Sequence, residues 1–131
     1  MLRKTENITD KIDTDSGRDA DSLLNRITAM GELLKEHKGQ DVCVLDLRGI
    51  CDWTDFFVIA TVSSAIHMDG LERHIKDYCR GNKIELFGNS RKNTDDEWRL
   101  IDLGFAIIHL MNSRARQFYE LERLWRPVMG V

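Results

Sequence analysis

Residues 98–111 read Trp98-Arg99-Leu100-Ile101-Asp102-Leu103-Gly104-Phe105-Ala106-Ile107-Ile108-His109-Leu110-Met111. Two apolar, β-prone runs flank a single turn residue, Gly104. A connection this short joins antiparallel neighbours, so the stretch predicts a hairpin. Working upstream, Phe56-Phe57-Val58-Ile59-Ala60-Thr61-Val62 and Asp41-Val42-Cys43-Val44-Leu45-Asp46-Leu47 are apolar almost without interruption, the pattern of strands covered on both faces. After Val62, Ser63 and Ser64 offer N-caps to a helix in which Met68, Leu71, Ile75 and Tyr78 or Cys79 recur with helical spacing until Gly81-Asn82. Such a helix permits a parallel crossover, whereas the hairpin is antiparallel, so a mixed sheet is expected. Lys83-Ile84-Glu85-Leu86-Phe87 alternates in part and predicts one more strand.

Outward from this centre, Leu23, Leu24, Ile27, Met30 and Leu34 predict an amphipathic helix capped by Ser22 and stopped by Gly39. Residues 1–21 are Asp-rich with few large apolar side chains, so a flexible acidic tail is expected ahead of a domain over 22–131. At the other end Ser113 precedes a helix over Arg114 to Trp125, closed by Arg126-Pro127, with Phe118, Leu121 and Trp125 assigned to packing against the sheet. The expected fold is α/β: a mixed five-stranded sheet flanked by helices, in the order α-ββ-α-βββ-α.

A chain of 131 residues is the usual size of one domain, able to bury roughly two-thirds of its unfolded surface. The net charge of −3 disfavours direct nucleic-acid binding, because neutralising several phosphates needs a surplus of Lys and Arg on one face. A basic protein surface suits a mildly acidic domain better. Cys43, Cys51 and Cys79 form no CxxC pair and read as buried thiols of a reducing compartment. No apolar run reaches the length of about 18 residues that a membrane span needs, and the acidic start argues against a transit peptide. A cytoplasmic location is expected.

Catalytic and metal patterns are weak. No phosphate-binding loop, dinucleotide fingerprint, HExxH or CxxC pattern occurs, so neither metal nor cofactor is expected. A nucleotidyltransferase holds Mg²⁺ with Asp-x-Asp after a Gly-Ser turn, and the acids Asp46, Asp52, Asp55 and Asp102 are not so placed. His67 and His74 share a helix face and read as solvated surface histidines. His109, inside an apolar strand, is expected to hydrogen-bond a neighbour, with Asp102 across the turn as the candidate.

Three segments together resemble the Iojap family of ribosomal silencing factors: Asp46-Leu47-Arg48-Gly49; Thr54-Asp55-Phe56-Phe57-Val58-Ile59-Ala60-Thr61; and the block from Trp98 to Trp125, which closes with Phe118-Tyr119-Glu120-Leu121-Glu122-Arg123-Leu124-Trp125. The resemblance implies a nucleotidyltransferase-like fold without the catalytic apparatus, often homodimeric. It implies binding to the large ribosomal subunit through ribosomal protein fourteen, which blocks joining of the small and large subunits and represses translation under nutrient limitation or in stationary phase. Organellar relatives imply the nearest alternative, a role in large-subunit biogenesis; a residual nucleotidyltransferase-type enzyme is the second. The candidate partner-binding residues are Trp98, Leu103, Asp102, Asp55, His67 and Tyr119. Two positions depart from the family pattern: Ile66 stands where Arg is common, and Phe105 where Asp is common.

Overall fold

Seven elements follow one another within residues 11–87 and 96–120, which the computed structural model describes, with side chains from Ser22 onward. They are α1 (Lys11–Glu36), β1 (Gln40–Asp46), β2 (Phe56–Val62), α2 (Ala65–Gly81), β3 (Trp98–Asp102), β4 (Ala106–Asn112) and α3 (Ser113–Tyr119). The strands form one mixed sheet in the order β1-β2-β4-β3. As expected, β3 and β4 make an antiparallel hairpin, with Ile101 opposite Ile108, and α2 lies in the crossover that sets β4 parallel to β2. β1 runs antiparallel to β2 at one edge.

Alternation sends each strand's side chains to two unlike faces. Val44, Phe56, Val58, Ala60, Ile101, Ala106, Ile108 and Leu110 face α1 and α2, packing against Ile27, Met30, Leu34, Met68, Leu71 and Ile75. The buried Arg99 points to the same side and reaches Asp69 and Glu72 on α2 at 2.6 and 2.9 Å. On the opposite face Cys43, Leu45, Phe57, Ile59 and Met111 meet Ala115 of α3, with Trp98 and Ile107 partly covered.

Local chemistry explains most element ends. Ser64 Oγ accepts from the His67 N–H to cap α2, and Asn112 Oδ1 accepts from the Ala115 N–H to cap α3, in place of the expected Ser113. α1 stops through a left-handed Lys38, and Gly39 then approaches so closely that a Cβ there would sit 2.8 Å from the Leu34 carbonyl oxygen. In the hairpin turn Gly104 has φ +85, and the Phe87 ring occupies the space a Cβ would need.

Four expectations are corrected. α1 begins at Lys11, upstream of the expected cap at Ser22, while residues 1–10 lie outside the described residues. The strand expected over 83–87 does not form, so four strands are seen among the described residues. Lys83 turns left-handed, and the N–H groups of Asn82 and Ile84 donate back to carbonyls of α2, which uses the donors a strand would offer a neighbour. Only Phe87 keeps a bridge, its N–H donating to the Asp102 carbonyl at 2.8 Å. Finally, α3 closes at Tyr119 with a left-handed Glu120, and Phe118 is 76% exposed instead of packed on the sheet. The expected continuation through Trp125 lies outside the described residues.

Candidate functional site

The sheet face under α3 carries a run of touching aromatic rings. Trp53, in the loop before β2, lies 5.8 Å from Phe57, Phe57 meets His109 edge-on at 4.4 Å, and His109 is 5.9 Å from Trp98 between ring centroids. Trp98 packs on Tyr119 at 4.5 Å, and Tyr119 meets Phe118 at 4.9 Å. α3 is only seven residues long. It hides Ala115 but leaves Phe118 and Tyr119 exposed and Trp98 half-buried. Arg116 ties the helix down, its Nη1 donating to Thr61 Oγ1 at 3.0 Å.

Inside this run sits His109, 5% exposed. Its partner is not the expected Asp102: the Trp98 indole Nε1–H donates to His109 Nδ1 at 3.0 Å. Alternation explains the correction. Trp98 and His109 point to the same face from adjacent antiparallel strands, as diagonal neighbours two residues out of register. Burial lowers the His109 pKa from 6.5 to about 4, so the ring is neutral near pH 7. Asp102 serves the turn instead, its Oδ1 accepting from the Gly104 N–H at 2.8 Å.

A polar corner closes the end of the sheet that holds this turn, away from Trp98 and Tyr119. The Asp55 and Phe56 N–H groups donate to the Phe105 carbonyl at 3.1 and 3.2 Å, and the Asp55 carbonyl accepts from Leu47 N–H at 2.8 Å. Arg48 forks onto Asp46 at 2.9 and 2.7 Å. Burial raises the Asp46 pKa, but the hydrogen bonds and charge of Arg48 outweigh it and hold the carboxyl below its ordinary value.

The chain is similar to proteins of known identity. The family described as "Ribosomal silencing factor during starvation" matches residues 20–129. The chain belongs to that family. The ribosomal silencing factor RsfS of Treponema pallidum is 37% identical over 103 residues, covering 78% of this chain and 91% of that protein. That of Haemophilus influenzae is 38% identical over 94 residues, covering 72% and 91%. The mouse protein named "Mitochondrial assembly of ribosomal large subunit protein 1" is 33% identical over 105 residues, covering 76% of this chain and 44% of its own length. A solved structure from Chromobacterium violaceum shares the fold with a TM-score of 0.69 at 24% identity, covering 77% of this chain and 84% of that one. Among the described residues no helix is long and apolar enough to cross a membrane.

Within this silencing-factor fold the six residues singled out from sequence do not form one cluster. Trp98 and Tyr119 pack together on the aromatic face. Asp102 belongs to the same face of β3, four residues along, roughly 13 Å away at the rise of an extended strand. Half-buried Asp55 joins the polar corner. Leu103 is buried in the core under α1 and α2, 3% exposed, and so offers a partner almost no surface. His67 is half-buried and lies outside the aromatic face. Its Nδ1 accepts from the Ser63 N–H at 2.9 Å and its Nε2 lies 2.9 Å from the His37 carbonyl, which joins the start of α2 to the end of α1.

His74 is likewise no free surface residue, since its ring stacks on His37 at 3.6 Å. Of the two departures, Ile66 is 82% exposed on α2, whereas Phe105 packs partly against the core. Sequence reading passed over Trp53, whose setting among Asp52, Thr54 and Asp55 was the available signal for an exposed aromatic, and Leu100, exposed on the same face of edge strand β3.

Proposed function

We propose that this protein binds the large ribosomal subunit through ribosomal protein fourteen and thereby keeps the small subunit from joining, repressing translation under nutrient limitation or in stationary phase. Membership of the silencing-factor family across residues 20–129 carries the reading. The action is occupancy of a face, without catalysis, cofactor or direct sequence-specific contact to nucleic acid, in the cytoplasm; a homodimer belongs to the same proposal.

The face we assign is the aromatic one. Large rings held on strands give a partner much contact area at little entropic cost, which is the composition of interface hot spots. Trp98 and Tyr119 form its centre, while Asp102 and Asp55 mark an acidic end that complements a basic protein surface. Leu103 and His67 support the domain from the core and the helix seam. A second reading, assembly of the large subunit, is favoured by the 33% identity to the mouse mitochondrial protein of that name.

Sedimentation with separated subunits is the test. Co-migration with large subunits, together with fewer intact ribosomes, is the expected result. Accumulation of immature large particles on depletion in rich growth favours the assembly reading. Folded protein that binds neither subunit would overturn both readings, and nucleotide turnover by that protein would put an enzyme in their place.

A further inference from the structure

Trp98 sits on an edge strand, half-buried, and its indole N–H donates to Nδ1 of His109 at 3.0 Å. That acceptor is an unusual choice for its place. The neighbours of His109 on this face are apolar or aromatic, and the ring is 5% exposed. Because Nδ1 accepts, the neutral imidazole carries its hydrogen on Nε2, and buried Nε2 has no hydrogen-bond partner among the described residues. A buried donor left unmet is destabilising, and a Phe at this position would avoid it while keeping the edge contact to Phe57. The imidazole serves Trp98 through Nδ1, while Nε2 meets no acceptor among the described residues. Burial, which drives its pKa to about 4, keeps the accepting nitrogen unprotonated throughout the neutral range.

We propose that His109 is a positioning residue for partner recognition: by accepting the indole N–H it fixes the Trp98 ring against Tyr119, so that the aromatic ledge exists before the partner arrives. The proposal rests on the reading of this face as the one that meets the large subunit. Removing the bond from a half-buried indole on an edge strand loosens its pose, and ordering it on binding then lowers affinity. The bond spans adjacent strands β3 and β4, so the pose follows from the sheet register and does not depend on a loop.

The test compares His109→Phe, which keeps a ring but removes the acceptor, with His109→Asn, whose side-chain oxygen takes the place of Nδ1. Three readouts are needed: the NMR resonance of the Trp98 indole N–H, assigned with Trp98→Phe; the urea midpoint; and the dissociation constant for purified large subunits. His109→Phe is expected to move the indole resonance to its unbonded position and weaken binding about tenfold, with Asn restoring most of both. In a Trp98→Phe background, His109→Phe should have no further effect on affinity.

Wild-type affinity in folded His109→Phe, or additive losses in the double variant, would overturn the positioning role while the assigned face stands. Should His109→Phe not fold, His109→Asn decides: lost indole bonding with unchanged affinity overturns the proposal. If Trp98→Ala also binds normally, the assigned face itself fails, and the proposal with it.

Discussion

The two faces of the sheet differ in what covers them. One meets α1 and α2 over aliphatic side chains and the ion-paired Arg99, and closes into the main core. Among the described residues the other meets a single short helix over Phe57, His109 and Trp98, and leaves Tyr119, Phe118 and Leu100 exposed. The first arrangement is what stability asks for, since continuous apolar burial is the main favourable term in folding. The second keeps rigid aromatic surface available, which a partner can bury in its turn. Difference in cover, more than difference in hydrophobicity, separates the face that holds the domain together from the face assigned to recognition.

The comparison breaks most easily on the aliphatic face. Ile108→Ala should lower stability by about 2–5 kcal/mol through lost burial and a cavity, read from the urea midpoint. Leu103→Glu should be at least as severe, because it places a charge in the same core. Loss of ribosome binding in that variant would report unfolding, and a native midpoint would show that Leu103 is not core.

Next in size is the acid response of the aromatic face. In the unfolded chain His109 protonates near pH 6.5, whereas in the folded chain it stays neutral to about 4. The unfolded state thus binds more protons in that window. Stability should fall there by about 1.4 kcal/mol per pH unit as the medium is acidified, beside the loss from Asp46, whose lowered pKa acts in the same direction on further acidification. Comparing wild type with His109→Phe across pH 7 to 4 isolates the histidine, and an unchanged slope would mean that its ring is not buried neutral.

Trp98→Ala probes recognition more than stability. It should weaken large-subunit binding by about 2 kcal/mol, roughly thirtyfold, with a smaller shift in the urea midpoint than Ile108→Ala. The reverse order of effects would make Trp98 a core residue. The smallest change is expected at the helix seam, where His67→Ala removes the bonds to Ser63 and His37 at a cost of about 1 kcal/mol while ribosome affinity is retained. Weakened binding by a stable His67→Ala protein would return that residue to the contact surface.

Much of this organisation was legible. The strand runs, the hairpin at Gly104, the Ser64 cap and the buried stripe of α2 follow from local pattern, because turn chemistry and periodicity act over a few residues. The failures share a cause. Ile84 and Leu86 alternate like a strand, yet backbone donors nearby are used in closing α2. Phe118 fits a helical stripe, yet α3 closes at Tyr119 and leaves that ring exposed. Asp102 and Leu103 show the limit for the site: alternation says that neighbours take opposite faces, but not which face the helices cover.

By itself, the sequence determined that this chain makes a mixed α/β domain of the ribosomal silencing family, since family motifs and residue periodicity are properties of the chain in order. Tertiary structure alone decided that Leu103 belongs to the core, that His67 joins two helices, and that His109 holds Trp98 and not Asp102. Those choices depend on strand register and on which face receives α1 and α2. Both are set by packing between segments far apart in the chain, which local pattern does not encode.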